Sequence, residues 1–381
     1  MFLHILATGL FVLGVSGDSK DGIAVLPLHS EGKVEARFNP TGPSCALQLL
    51  SLLPPGVRLS LAQGSKARIL CDNNRLVNLQ GPRDWTANEQ ECVGESLPTS
   101  LFERLMDSAS PISVTASGEA TLKTRAPKGQ SSLWVLSPRG STPDDRPPLA
   151  WTVPASAQYF HWTLSEAGSS MGTKVVKAAG LCRRLTASRS LCKMDYPAFG
   201  APLRPGQLVD FTVTRLGADL KPAEAEAQSS FMLTTPQASA EVKRELALLA
   251  QAPLEPQGAC LARSRLLETH GILGEAIVTL LECSGATNTP VFDLPLARLY
   301  LASGLAAAAL PHLESLAGHS PDPCQRADID LGFGRAYFLL GEHRRADQLL
   351  RSSVAALETC GKDAAHGHVW IKENEQYFRN Q

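Results

Sequence analysis

The sequence predicts a multidomain chain that is β-rich through about residue 235 and α-helical beyond it. Three observations predict this. Two stretches show the two-residue alternation of half-buried strands, cut by Gly and Pro turns. Near Gln237 the apolar spacing changes from two residues to the helical period. From Ser264 to Ala346 small, aromatic and glycine positions recur in tandem.

With 381 residues, and roughly 100–200 residues per domain, the chain has room for two to four cores. Lys plus Arg is 36 against 37 for Asp plus Glu, a formal net charge of −1. That balance provides no general field for nucleic acid or anionic lipid. A hydrophobic content of 44% favours packed domains over disorder.

Phe2 to Val15 is almost wholly apolar, and Val15-Ser16-Gly17 offers small residues for cleavage before Asp18. The run is too short to cross a bilayer and fits a signal peptide over 1–17, so export is expected. No later stretch reaches the ~18 apolar residues of a membrane helix, so no transmembrane segment is expected in the mature chain. The nine cysteines form no CxxC pair, which argues against a structural zinc site or a thioredoxin-type motif. Most fall in local couples, as disulfides do in an oxidising compartment. Cys45 is left over.

The first β domain is expected over 22–98. Val57-Arg58-Leu59-Ser60-Leu61 and Lys66-Ala67-Arg68-Ile69-Leu70 alternate, with turns at Gly56, Gln63-Gly64, Asp72-Asn73-Asn74 and Gly81-Pro82. A Cys71–Cys92 disulfide would staple this sheet. Ser100-Leu101-Phe102-Glu103 reads as a capping box opening a short helix, and the Ser/Thr/Ala/Gly-rich residues that follow read as a linker, together 99–132. The second β domain is expected over 133–235 as an antiparallel sandwich. Its strands include Leu133-Trp134-Val135-Leu136, Leu149 to Val153, Tyr159 to Leu164, Val209 to Val213 and Phe231-Met232-Leu233. Cys182 and Cys192 are expected to cross-link a hairpin or loop there.

Helical repeats are expected over 237–381. Val242, Leu246 and Leu249 form one stripe of the first helix. Gly271, Gly304 and Gly341 follow at separations of 33 and 37, each with an alanine five residues later: Ala276, Ala309 and Ala346. Ala297 and Gly334 precede the last two glycines by seven residues, with Tyr300 and Tyr337 three further on, and the first copy has Ser264 and Leu267 there. Small residues let paired helices approach, the aromatic fills the groove beside them, and glycine allows the tight turn. Cys260 and Cys283 lie nearly symmetrically about Gly271, as do Cys324 and Cys360 about Gly341. Residues equidistant from a hairpin turn face each other, so Cys260–Cys283 and Cys324–Cys360 are predicted, each joining the two helices of one pair.

A period near 34 with this pattern resembles the tetratricopeptide repeat, although the tryptophan position has no aromatic in any copy. Pro55 to Leu59 with Gly64 to Asp72 resembles the β core of FecR-like domains, which regulate sigma factors or serve as extracytoplasmic β modules. Pro148-Leu149-Ala150-Trp151, Tyr159 and Leu203-Arg204-Pro205-Gly206 resemble a fibronectin type III or immunoglobulin-like sandwich. The order as a whole is similar to bacterial secreted proteins with these three parts. The resemblance implies binding or assembly rather than a defined reaction.

Candidate chemistry is sparse. Gly168-Ser169-Ser170-Met171-Gly172 matches the nucleophile-elbow spacing, but no helix pattern follows it, and a flexible Ser/Gly loop is the favoured reading. His366-Gly367-His368 lacks the further ligands a metal needs and reads as an exposed cap loop. Gly332-Phe333-Gly334 lies within a helix pattern and reads as repeat packing, not a dinucleotide turn. Arg183-Arg184 and Arg344-Arg345 read as solvated surface, or more sharply as contacts for an acidic partner. Trp151 and Tyr159 read as core, with Trp162 open between core and a carbohydrate platform. The chain is therefore expected to be a non-catalytic exported scaffold, without cofactor or metal, that binds a protein or peptide through its repeats, with the β modules as spacer and second contact. The alternatives are an extracytoplasmic sensor or regulator using the FecR-like module, and an envelope carbohydrate-binding protein using the sandwich.

Overall fold

The computed structural model describes residues 23–38, 44–47, 49, 53–97, 105, 133–197, 202–223, 226–287, 290–319, 322–361 and 364–379. The expected signal peptide and linker lie outside the described residues. So does the expected capping helix, apart from Leu105, which is buried in a core shared with the C-terminal helices.

Two β layers form the first module. One sheet has the order β1-β5-β6-β8 and the other β3-β2-β4-β7. Their strands are β1 Val25–Glu31, β2 Val34–Arg37, β3 Ser44–Ala46, β4 Arg58–Leu61, β5 Lys66–Cys71, β6 Arg75–Gln80, β7 Arg83–Thr86 and β8 Glu95–Ser96. Val25, Val34, Leu59, Ile69 and Trp85 meet between the sheets. Cys71 at the end of β5 is bonded to Cys92.

The second module also has two sheets, β10-β17-β16-β12-β13 and β14-β15-β11-β9. The strands are β9 Trp134–Ser137, β10 Gly140–Thr142, β11 Leu149–Pro154, β12 Tyr159–Glu166, β13 Ser169–Lys177, β14 Cys182–Arg184, β15 Arg189–Met194, β16 Leu208–Leu216 and β17 Ala227–Leu233. One pairing departs from the all-antiparallel expectation: β10 runs parallel to β17. Strand β10 leaves the opposite sheet through a tight turn after β9, and this fixes its direction. A disulfide joins Cys182 of β14 to its cross-strand partner Cys192 of β15.

Eight described helices follow: α1 Pro236–Gln251, α2 Pro256–Thr269, α3 Leu273–Thr287, α4 Asp293–Ala302, α5 Ala306–Gly318, α6 Pro323–Leu339, α7 His343–Thr359 and α8 Ala365–Arg379. They form tight pairs, α2 with α3, α4 with α5 and α6 with α7. The linking residues Gly271, Gly304 and Gly341 have φ of 69°, 69° and 84°. An L side chain is strained there, so the recurring glycines are the residues these turns require. The disulfides Cys260–Cys283 and Cys324–Cys360 tie α2 to α3 and α6 to the end of α7, with Cα separations of 6.4 and 5.7 Å. None of the described helices is long and apolar enough to cross a membrane. Four disulfides suit an oxidising compartment.

The three parts do not string out as spacers, contrary to expectation. One apolar core contains Leu26 and Leu28 of β1, Leu70 and Leu76 of the same sheet, Trp134 and Leu136 of β9, Leu191 of β15, and the inner faces of α2 to α6. Strands β1, β5, β9 and β11 are therefore buried on both faces along most of their length, and β1, β9 and β11 read as apolar runs, whereas β5 still alternates through Arg68. Gly274 marks the closest approach: a Cβ there would lie 2.4 Å from the carbonyl oxygen of Leu136. Gly274→Val is expected to cost about 2–3 kcal/mol and lower the melting temperature, as overpacking does. Gly318→Ala, at an α5 position with open space, is expected to leave the melt unchanged or slightly raised. Calorimetry of both variants checks this.

Candidate functional site

The repeat positions lie where the helix pairs close. Ala276, Ala297, Ala309 and Ala346 are buried, and the Ser264 hydroxyl donates to the Ala276 carbonyl at 3.1 Å. Gly334 faces Leu350 so closely that a Cβ would meet it at 2.6 Å, and Gly332 faces Leu313 in the same way. The Gly332-Phe333-Gly334 motif thus belongs to helix packing.

The two repeat tyrosines have different surroundings. Tyr300 is buried in α4, with the Trp134 ring 6.3 Å away and the His312 ring stacked at 5.6 Å. Burial raises its hydroxyl pKa well above the usual value. Arg189 of β15 lies over the Trp134 ring, 3.4 Å from its centre. Tyr337 of α6 stacks on Phe333 and is covered by the Arg345 guanidinium at 3.7 Å.

That difference follows the β9–β10 turn of the second module. Just after it, the Ser141 N–H of β10 donates to the Gly271 carbonyl at 3.1 Å, at the turn of the first helix pair. Within it, Arg139 donates from Nη1 to the Ser303 carbonyl at 3.0 Å, at the turn of the second, and from Nη2 to Val135 at 2.9 Å. Among the described residues the third turn, at Gly341, has no such cover: a Cβ added there meets nothing within 4 Å. Instead Gly341, Glu342, His343, Arg344, Arg345 and Gln348 line an open pocket of about 420 Å³.

The sequence builds this pocket simply. Gly341 ends α6, and α7 begins two residues later with no side-chain cap on its first N–H groups. An uncapped helix start carries positive partial charge. Arg344 and Arg345 add two full charges, partly answered by Glu342, which holds Arg345 at 3.4 Å. Beside the pocket Phe338 gathers Trp370, His343, Tyr377 and Phe378 at 4.6, 4.8, 5.6 and 5.7 Å. Leu339, Leu340 and Tyr377 remain substantially exposed. The arrangement suits a carboxylate next to an apolar or aromatic group.

Gly168-Ser169-Ser170-Met171-Gly172 is not a loop: Ala167 and Gly168 form the turn, and Ser170 pairs with Ser165 along β13. Among the described residues no histidine or carboxylate hydrogen-bonds Ser170. The His366-Gly367-His368 segment is likewise helical, at the start of α8, with Gly367 against Val354 and His368 on Glu358 at 2.7 Å. Arg183 reaches from β14 to the Leu281 carbonyl and so helps to dock α3. Trp151 is core, but the expected register of β12 is inverted: Phe160, Trp162 and Leu164 are buried and Tyr159 is only partly so. Trp162 is therefore no carbohydrate platform. The sulfur of Cys45, the carboxylate of Asp322 and the sulfur of Cys324 lie within 4.8 Å of one another. Cys324 is disulfide-bonded, so it is not the thiolate a metal would need in this state.

One recurring feature escaped the sequence reading. The residue after each small position is arginine, at 265, 298 and 335, and all three are buried. Glu268 accepts from Arg265 at 2.8 Å and Arg298 at 2.7 Å, bridging successive pairs. Burial, with the positive Arg298 adjacent, lowers the Arg265 pKa to about 10. The same spacing that located the glycines was the available signal.

No family model matches the chain, and no curated protein matches it. Among solved structures, a β-1,2-glucanase from Parabacteroides distasonis aligns at 12% identity over 87% of this chain and 49% of that one, with a TM-score of 0.21. The chain spans about half the length of that enzyme, and a likeness this slight carries no argument.

Proposed function

We propose that this is an exported, non-catalytic interaction protein, periplasmic or extracellular, that holds an acidic segment of a protein partner at the open turn of its third helix pair. The helical half is read as tetratricopeptide-like, and the FecR-like and sandwich modules as fixed supports for it. One observation carries the reading. The second module already docks on the first two turns, at Gly271 and Ser303, and among the described residues nothing covers the equivalent third turn, which has Arg344, Arg345, Leu339 and Leu340 at its rim. A partner there would cover the third turn as the second module covers the first two, with acceptors where the second module supplies donors. The two arginines and the start of α7 favour carboxylates, and the exposed leucines favour an apolar residue beside them.

Fluorescence anisotropy of the full-length protein with labelled Asp/Leu-rich peptides, against Lys/Leu-rich controls, tests this. Binding is expected to favour the acidic peptides and to weaken with salt. It is expected to fall about tenfold or more in the Arg344→Glu, Arg345→Glu double variant. Equal binding by the charge-reversed variant would sink the reading.

A further inference from the structure

Cys45 stands apart from the four disulfides in a specific place. It lies in β3, 1% exposed, packed against Cys324 (0%) and Cys360 (5%) with Phe38 alongside. The Cys45 and Cys324 sulfurs are within 4.8 Å. The contact is held from both sides by Asp322, the N-cap of α6. Its Oδ2 accepts from the Ala46 N–H at 2.5 Å, and its Oδ1 accepts from the Cys324 and Gln325 N–H groups at 2.9 and 2.8 Å. A cysteine thiol is thus fixed beside a disulfide where the first β module meets the third helix pair.

We propose that Cys45, Cys324 and Cys360 form an intramolecular thiol–disulfide exchange site that moves a covalent bond from within the helix pair to between the β module and α6. Cys45 gives its proton to solvent and its sulfur attacks Cys324. The Cys45–Cys324 bond forms as the Cys324–Cys360 bond breaks, and Cys360 leaves as a thiolate that takes up a proton. One disulfide and one thiol stand on each side, so no oxidant or reductant is consumed. The product ties β3 to α6 and releases the end of α7.

The surroundings set the conditions for exchange. Attack requires the Cys45 thiolate, so the exchange is slow at low pH. The helix pair itself imposes the observed bond, because Cys324 and Cys360 sit at the start of α6 and the end of α7, which lie side by side. Raising the pH supplies the attacking thiolate and so lets the chain reach the second isomer. This inference is independent of the docking reading, since it needs no partner.

Disulfide mapping of the full-length protein tests it. The protein is held at pH 6 or pH 9 without reductant, quenched in acid, alkylated under denaturing conditions and digested with pepsin. At pH 6 the alkyl label is expected on Cys45, with Cys324–Cys360 intact. At pH 9 a Cys45–Cys324 linkage is expected, with the label on Cys360 raised at least about tenfold, following the thiolate fraction. Cys45→Ser is expected to show one isomer at both pH values, and Cys360→Ser to give Cys45–Cys324 as its stable air-oxidised product. Label confined to Cys45 at pH 9, or Cys45 and Cys324 both labelled in oxidised Cys360→Ser, overturns the proposal. A Cys45–Cys360 linkage overturns the assigned direction of attack. Linkages to any of the other cysteines indicate general scrambling and overturn it as well.

Discussion

Arg139→Ala is expected to destabilise the protein by about 3–5 kcal/mol, the range for losing one side of a fully buried, hydrogen-bonded charged group. Arg139 is 1% exposed and reaches across the junction, with one nitrogen on the Ser303 carbonyl and the other on Val135. Its Nε finds no partner among the described residues, and burial alone lowers its pKa to about 10. It therefore remains charged at neutral pH in a site that charges it a desolvation penalty. Truncation takes a donor away from two carbonyls at a buried junction, at about 1–3 kcal/mol each, and adds a cavity. Arg139→Met separates these effects. It fills the space and relieves the buried charge but still removes both donated hydrogen bonds, so its loss is expected to be smaller, about 1–2 kcal/mol. Arg139→Lys keeps the charge but replaces the planar fork with a single ammonium, and cannot satisfy carbonyls on two separate elements equally well. The order of melting temperatures is expected to be wild type, then Met, then Ala, read by scanning calorimetry. An alanine variant that melts with wild type would mean that the turn contact carries no weight.

The same junction shows what a one-dimensional reading sees and what it misses. The helix pairs were legible because their geometry makes local demands on residue type. A left-handed turn residue selects glycine, a close helix crossing selects Ala or Gly, and paired helices place cysteines symmetrically about the turn. Gly271, Ala276, Cys260 and Cys283 carry these signals without any reference to distant parts of the chain. Contacts between modules leave weaker traces. Trp134 and Leu136 point away from their own sandwich into the helices, and in sequence they merely lengthen an apolar run. Arg139 sits in Ser-Pro-Arg-Gly, which reads as a solvated turn, and nothing nearby indicates that α4 and α5 come to cover it. The β12 register is legible in its alternation, which runs against the expected placement of Tyr159. His161 and Thr163 alternate with Phe160, Trp162 and Leu164, and polar residues on one face should have placed Tyr159 with them, outside. The Arg344-Arg345 pair was visible as charge, but the stacking of Arg345 on Tyr337 depends on the turn between α6 and α7 and has no signature in spacing.

Glu275→Gln is expected to stabilise the protein, and only above acid pH. Glu275 lies in the first turn of α3, where a carboxylate would ordinarily gain from the helix N-terminus. Here burial outweighs that gain. Its Oε1 has no hydrogen-bond partner among the described residues, and Asp144 is close by. Arg263, Lys193 and Lys243 are near enough to help, but Lys243 is engaged by Asp144 at 2.7 Å and Lys193 by Glu282 at 2.6 Å. Burial first, then the Asp144 charge, raises the Glu275 pKa from 4.5 to about 7. Below the ordinary value both folded and unfolded chains hold the proton, and no penalty exists. Between that value and 7 the unfolded chain releases the proton while the folded chain keeps it, so stability falls as pH rises. Above 7 the folded chain carries the buried charge and the penalty is complete, on the order of 2–3 kcal/mol. The neutral amide never pays it. The gain of Glu275→Gln should therefore be absent near pH 4, grow through pH 5–7 and level off by about pH 8, read as the difference in denaturation midpoint against wild type. Asp144→Asn, which removes the second cause, should shift that rise toward lower pH without abolishing it. A gain of equal size at every pH would show that the amide acts through packing and that the carboxylate is not the source of the penalty.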